Sequence, residues 1–272
     1  MKYKVLVLDI DGTLNNSKKE VSQKTKLALK KAQEKGIIVV LASGRPTCGI
    51  THIANEIELE KYGGYILSFN GGKITNCKTN EVIYEKSIPR ENVAEIYDIS
   101  KEYGVNILTY SDDSVISEND DKYLEIECRI NKIECTQVES FKASVNYAIP
   151  KCLMLGDGDY LAEIEPKVRE RLGDGYNVFR SEPFFLEVMP QNIDKAYSLE
   201  RLLDHLGMTK HDMIACGDGF NDISMISYAG LGVAMANAQP SVKEVANFIT
   251  LSNDDDGVAH VIEKFILIEN IA

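Results

Sequence analysis

The 272-residue sequence holds no apolar run approaching the ~18 residues that a membrane-spanning helix needs, so none of it is expected to cross a bilayer. It also lacks an excess of basic charge: 30 Lys and Arg stand against 42 Asp and Glu, a formal net charge of -12. A nucleic acid or an acidic membrane surface would want a basic face, so neither is expected as a partner. An anionic small molecule is still allowed, because a metal ion or a few local cations reverse the sign inside a cleft. The six cysteines, at 48, 77, 128, 135, 152 and 216, include no C-x-x-C and no zinc-like pairing with the four histidines; a reducing cytoplasm is the simple reading. Met1 leads within a few residues into the first apolar segment, so a signal peptide is not expected. Tryptophan, internal repeats and low-complexity tracts are missing too. What is present is an ordinary globular composition, 44% hydrophobic and 26% charged, which sets disorder aside and suffices for one large domain or two modest ones.

The pattern along the chain changes twice. "VLVLDI" is apolar on both faces, as a central parallel strand must be when helices cover both sides of its sheet. An amphipathic helix over Ser22–Lys35, closed by Gly36, leads to a second buried strand in "GIIVVLASGR", a helix near Thr51–Glu60 and a strand "YILSF". "NGG" at Asn70–Gly72 reads as a turn into a hairpin through "KITN" and "EVIYEKSI". From about Pro89 helices alternate with paired strands, which predicts an α+β module with an open antiparallel sheet: helices over Arg90–Tyr103, Asp120–Lys132 and Tyr160–Arg171 among short strands. The first rhythm then returns with a helix over Lys195–Leu206, the strand "MIACGD", a helix over Asp222–Ala229, "LGVAM" and a last helix from Gly257. The fold class that follows is α/β: a doubly wound, mostly parallel, Rossmann-like core built from residues 1–84 and 189–272, with an α+β cap over residues 85–188 inserted into it.

The first strand runs straight into Asp9 and Asp11. In open α/β sheets ligands bind at the carboxyl ends of the strands, where this pair falls, and two residues apart on extended chain their side chains share a side. Clustered carboxylates raise each other's pKa unless a cation is present, and a hard ion such as Mg²⁺ answers that. Alone, D-x-D-G would read as an acidic turn capping the next helix. A calcium loop is rejected, because Leu14 stands where the sixth position needs glycine. "ACGDGFNDISM" repeats the arrangement, an apolar strand ending in a turn with Asp218, Asn221 and Asp222. Asp218 is the best third metal ligand, with Asp222 orienting the site or holding a coordinated water. The strand before Ser43 and Gly44 ends in a hydroxyl and backbone N–H groups able to cradle phosphate oxygens, although a lone serine there more often caps a helix.

In that order, "DIDGTL", "LASGR", a lysine opening a late helix and "GDGFNDISM" resemble the four motifs of the haloacid dehalogenase-like hydrolases. The insert between the second and third motifs, with "FNGG" before it and "SEPFFLEVMP" at its end, is similar to the Cof-type subfamily with its large α/β cap. The resemblance spans essentially the whole chain. It implies a Mg²⁺-dependent phosphatase of small phosphomonoesters, such as sugar phosphates, acting in the cytoplasm. Asp9 resembles the nucleophile that becomes an aspartyl phosphate, and Asp11 the general acid and base, whose backbone carbonyl also ligates the metal. Asp9 and Asp218 resemble the side-chain ligands; Ser43, Gly44, Lys195 and Asn221 resemble the groups that bind the transferring phosphoryl. A cation in the first turn of a helix opposes the helix dipole, which gives weight to a site-facing Lys195. Ala196 replaces the family's usual glycine. A phosphosugar mutase of the same superfamily, or a sugar-phosphate sensor without turnover, stays open as an alternative, and oligomeric state is not legible. Other acidic clusters have plainer readings: "SNDDDG" as a cap for the last helix, Asp194 as a cap, "SDDS" at 111 as a hairpin turn, and "GDGDYLAEIE" as no calcium site, because Ala162 stands where glycine should be.

Overall fold

A computed structural model of the chain describes residues 2–111 and 114–267. The first stretch comprises β1 (Val5–Leu8), α1 (Gln23–Glu34), β2 (Ile38–Ala42), α2 (Thr47–Glu56), α3 (Leu59–Tyr62), β3 (Tyr65–Ser68), β4 (Lys73–Asn76) and β5 (Val82–Glu85). The middle comprises α4 (Arg90–Glu102), β6 (Asn106–Tyr110), β7 (Ser114–Ser117), α5 (Lys122–Asn131), β8 (Glu134–Gln137), α6 (Phe141–Ser144), β9 (Cys152–Leu155), α7 (Gly158–Leu172), β10 (Tyr176–Glu182) and β11 (Phe185–Pro190). The return comprises α8 (Lys195–Leu206), β12 (Met213–Gly217), α9 (Ile223–Tyr228), β13 (Leu231–Ala234), α10 (Pro240–Val245), β14 (Phe248–Ile249) and α11 (Gly257–Phe265). These form two compact units, Met1–Tyr84 with Asp194–Ala272, and Glu85–Ile193.

The first unit is an eight-stranded sheet in the order β14-β13-β12-β1-β2-β3-β4-β5, parallel from β14 to β3. All four residues of β1 are buried, as their continuous apolar run requires of a strand covered on both faces. α1 begins where Ser22 accepts a hydrogen bond from the Thr25 amide, and buries Ala28, Leu29 and Ala32 against the sheet while its lysines face water. α2 starts four residues earlier than the pattern suggests, directly after Pro46, and Glu58 in the left-handed region separates it from α3.

The second unit has a six-stranded sheet, β10-β11-β9-β6-β7-β8, antiparallel except at its edge, where β7 and β8 run parallel. That departure from the expected antiparallel order has a simple cause. α5 lies between the two strands as a crossover, and a crossover brings the chain back in the same direction. Ile107, Met154 and Leu186 stand in register across one sheet face and form a core with Val93, Ile96 and Ile99 of α4 and Leu161, Ile164 and Val168 of α7. The turn expected over "SDDS" has Asp112 and Asp113 outside the described residues. Asp157 caps α7 by accepting from the amides of Asp159 and Tyr160, which accounts for the calcium-like stretch without a metal.

One cysteine pair departs from the reading of a reducing environment: Cys128 and Cys135 form a disulfide that ties α5 to β8. Their Cα atoms are 6.1 Å apart because the strand doubles back along the helix that precedes it, a proximity no sequence spacing announces. The cysteines at 48, 77, 152 and 216 lie outside that bridge as thiols, and burial pushes that of Cys77 up to about 12. All four residues of β8 are exposed, so apolar burial does little to hold that strand. Protein purified without reductant should therefore show four alkylatable thiols when unfolded and six after reduction, by mass spectrometry. Reduction, or Cys128→Ser, should lower stability by about 2–3 kcal/mol in thermal unfolding, the usual effect of releasing a short closed loop. Six thiols in the unreduced protein would remove the bridge.

Candidate active site

β1 lies between β2 and β12, and the chain leaves these two neighbours toward opposite edges of the sheet. The carboxyl end of β1 is thus a topological switch point, the crevice where open α/β sheets bind ligands. Leu8 stands opposite Cys216, and the Asp9 amide donates to the Cys216 carbonyl at 3.0 Å, so Asp9 and Asp218 leave adjacent strands at nearly the same level. The Asp218 carboxylate accepts from the Thr13 hydroxyl at 2.7 Å and packs directly on Gly12. Gly12 has φ of +85°, and a Cβ there would stand 2.2 Å from Asp218 Oδ2, so only glycine fits this turn.

Lys195 enters from the start of α8, where Asp194 caps the helix by accepting from the amides of Ala196 and Tyr197 at 2.8 and 3.1 Å. With the cap role filled by Asp194, the lysine turns inward and is 1% exposed. Its Nζ donates to Asp9 Oδ1 at 2.8 Å, to the Ala42 carbonyl at 2.9 Å and to Asp222 Oδ1 at 2.6 Å, which commits all three ammonium protons. Asp222 is wholly buried, and its second oxygen accepts from the amides of Asp218 and Gly219, each at 2.9 Å. It therefore holds both the lysine and the turn that presents Asp218. One carboxylate oxygen from each of Asp9, Asp218 and Asp222 falls within 4.8 Å of the others.

The electrostatics of this cluster would suit a cation. Burial and the Asp222 charge push the Asp9 carboxyl well above the usual range, against the opposing pull of Lys195. Burial is also the main cause that lifts Asp218, to about 6. Burial works against the Lys195 ammonium, but Asp9 and Asp222 outweigh it and hold the lysine above its ordinary value. Three carboxylates facing one ammonium leave an excess of negative charge, which a hard divalent cation with oxygen ligands relieves.

Asp11 departs from the expected shared side. β1 ends at Leu8, so the strand's period of two no longer applies beyond it, and the Asp11 carboxylate is not one of the three clustered groups. It accepts from Arg45 Nε at 2.7 Å and Nη2 at 2.8 Å as a two-pronged fork, and from Lys19 Nζ at 3.1 Å. Burial alone would raise its pKa, but Arg45 and Lys19 outweigh that and hold it below the usual range. The four motifs assign Arg45 no role. Its signal in the sequence is a cation directly after Ser43 and Gly44, the residues expected to cradle phosphate oxygens.

Ser43 is buried at the end of β2, where its amide donates to the Leu67 carbonyl at 2.9 Å and its hydroxyl accepts from the Arg45 amide at 3.2 Å. The residue at the N-cap of α2 is Pro46, so Ser43 is not a helix cap. Gly44 lies against the side-chain amide of Asn70, which in turn accepts from Asn221 Nδ2 at 3.0 Å. The structure thus joins Ser43, Gly44 and Asn221 through Asn70, and joins Lys195 to Asp9 and Asp222. The acids of "SNDDDG" do not cap the last helix. Asp256 has φ of 59° and makes no side-chain cap bond; its carboxylate accepts from Ser22 at the start of α1, and Asp254 accepts from the Ser17 amide at 2.8 Å. Asn253 and Asn237 add bonds to the carbonyls of Asn15 and Gly12, at 2.9 and 2.8 Å, so this loop fastens the one that follows β1.

The family model for haloacid dehalogenase-like hydrolases matches residues 6–262. A crystal structure of a haloacid dehalogenase-like hydrolase from Bacteroides thetaiotaomicron is 49% identical with a TM-score of 0.94, covering 96% of this chain and 99% of that one. The "Putative phosphatase YxeH" of Bacillus subtilis is 32% identical over 267 residues, which make up 97% of this chain and 99% of that one. The sugar phosphatase BT4131, of haloacid dehalogenase subclass IIB, is 25% identical with a TM-score of 0.79, covering 97% of this chain and 100% of that one.

A raised carboxylate pKa favours the folded state at pH below the unfolded value, and that advantage is lost as pH rises through about 6 for Asp218. Cation-free protein should accordingly lose thermal stability between about pH 4 and pH 7, and Mg²⁺ should restore it at pH 7.5. Asp218→Asn should melt higher than wild type at pH 7.5 without Mg²⁺ and gain nothing from its addition. An undiminished Mg²⁺ response in that variant would take Asp218 out of the ligand set.

Proposed function

The chain belongs to the haloacid dehalogenase-like hydrolases, and from that membership we propose a Mg²⁺-dependent phosphatase that cleaves small phosphomonoesters through an aspartyl phosphate on Asp9. The observation that carries the reading is the meeting of Asp9, Asp218 and Asp222 with buried Lys195 at the switch point. Asp9 and Asp218, with the backbone carbonyl of Asp11, would hold the ion; Asp222 has both oxygens engaged and serves by positioning. When bound, Mg²⁺ supplies positive charge against the phosphoryl oxygens.

The rest of the chemistry belongs to this chain's own groups. Lys195 holds Oδ1 of Asp9, leaving the other oxygen to attack phosphorus. The bond from phosphorus to the leaving oxygen breaks, and Asp11 gives that oxygen a proton. Water then attacks the phosphorus of the aspartyl phosphate while Asp11 takes a proton back, which releases phosphate and returns Asp9. The Arg45 fork holds Asp11 as an anion, so the fork must open before Asp11 carries a proton. Ser43, Gly44 and Asn221 receive the phosphoryl oxygens.

Sugar phosphates or similar small metabolites are the substrates of this reading, in keeping with the name of the sugar phosphatase relative. The inserted unit Glu85–Ile193 is the cap of this reading. A cytoplasmic location goes with such substrates, and no helix among the described residues is long and apolar enough to cross a membrane.

Phosphate release from p-nitrophenyl phosphate should require Mg²⁺ and vanish in Asp9→Asn, whose circular dichroism should match wild type. Activity retained in that variant would remove Asp9 as nucleophile. Asp11→Asn should slow the pre-steady-state cleavage of sugar phosphates by about 10²–10⁴-fold while sparing p-nitrophenyl phosphate, whose leaving group departs without a proton. Equal losses for both substrates would leave Asp11 a role in loop geometry alone.

A further inference from the structure

Between β3 and β4 runs a turn to which the chemistry above gives no task. Phe69, Asn70 and Gly71 have φ of 53°, 56° and 107°, three left-handed residues in a row, two of them bearing a Cβ. Such backbone costs free energy and persists only where its surroundings over-determine it. The surroundings here are the segments expected to bind the phosphoryl group. The Phe69 amide donates to the Arg45 carbonyl at 3.0 Å and the Asn70 amide to the Ser43 carbonyl at 2.9 Å, so the turn lies along the loop after β2. The Gly71 carbonyl accepts from the Ser198 hydroxyl at 2.6 Å, and a Cβ on Gly71 would stand 2.7 Å from the Asp194 carbonyl oxygen, so the turn also abuts the first turn of α8, beside Lys195. Asn70 Oδ1 accepts from Asn221 Nδ2, and a Cβ on Gly44 would meet the Asn70 amide nitrogen at 3.1 Å.

Ser43, Gly44, Lys195 and Asn221 come from three separate places in the chain, and this turn touches all three. Asn221 depends on it most. Its side chain is exposed, and among the described residues its amide has Asn70 as its hydrogen-bond partner. An exposed side chain left to itself samples several rotamers, and fixing it costs entropy at the moment of binding. Because Nδ2 carries two hydrogens, the one given to Asn70 orients the group and the other remains for an anion.

We propose that Asn70 is a positioning residue of the phosphoryl site: its strained backbone gathers the three segments, and its Oδ1 presents the Asn221 amide to the bound phosphoryl group. This rests on the phosphatase reading for the identity of the anion. Asn70→Gly is the informative change, because glycine keeps the left-handed backbone and removes only the amide. Binding of orthovanadate to the whole protein with Mg²⁺, by calorimetry, should weaken about tenfold in Asn70→Gly, and by a similar factor in Asn221→Ala. The double variant should bind no more weakly than Asn221→Ala alone, since Asn70 acts through Asn221. The Mg²⁺ affinity and melting temperature of Asn70→Gly should stay at wild-type values, which separates positioning from collapse of the site. Wild-type vanadate affinity in Asn70→Gly, or losses that multiply to about a hundredfold in the double variant, overturns the proposal and leaves the phosphatase reading intact. Wild-type protein that binds Mg²⁺ but no vanadate overturns both.

Discussion

Lys195 carries a full positive charge to a place where 1% of the residue meets water, and nothing in the site can be understood before the cost of that is met. It is met by two carboxylates and a carbonyl at 2.6 to 2.9 Å. Burial of this kind is indifferent to net stability when the set is complete and severe when it is broken: losing one partner leaves a buried charge uncompensated, at about 3–5 kcal/mol. The three groups therefore stand or fall together. Because they arrive from the end of β1, from β2 and from the turn after β12, the ammonium at the start of α8 also fixes how those elements meet.

The sheet supplies the level and the loops supply the aim. Parallel pairing sets Asp9 beside the end of β12, and the glycine at 12 lets the Asp218 carboxylate close on the turn that follows β1. Past Leu8 the backbone is no longer a strand, and its course is set by side chains from far along the chain: Asn237, Asn253, Asp254 and Asp256. The acids that looked like a helix cap thus fasten one loop to another. The helix they precede does without a side-chain cap, because it buries Val258, Val261 and Ile262 in the core.

The features legible in the sequence were those with a local signature. Continuous apolar runs declared the buried parallel strands, acids at their ends declared the edge where Asp9, Asp218 and Asp222 gather, and a lysine placed against its helix dipole declared that it faced inward. Asp194 read correctly as a cap because capping is decided within three residues. What stayed hidden was relational. The Arg45 fork on Asp11 follows only once β2 is known to lie beside β1, and the disulfide only once β8 is known to double back along α5. Asp11 was placed by extending a strand that had already ended. Asn70 looked like an ordinary turn residue, since nothing near it in the sequence says that three other segments converge there. The short elements α3, α6, α10 and β14 escaped because two to six residues cannot show a period.

The order of strands in the first sheet also governs how this protein comes into being. β1 pairs on one side with β2, which follows shortly, and on the other with β12, where Val5 lies opposite Met213. The whole inserted unit, which has its own core, is synthesised between those two partners. Throughout that interval β1 presents a bare edge of four apolar residues, Val5 to Leu8, of the kind that pairs readily with a foreign strand. Non-local pairing of this sort slows folding and lengthens exposure to aggregation. An insert that folds quickly on its own shortens the search for β12, because it draws its two ends together. Rapid folding of the middle would in this way protect the strand at the front.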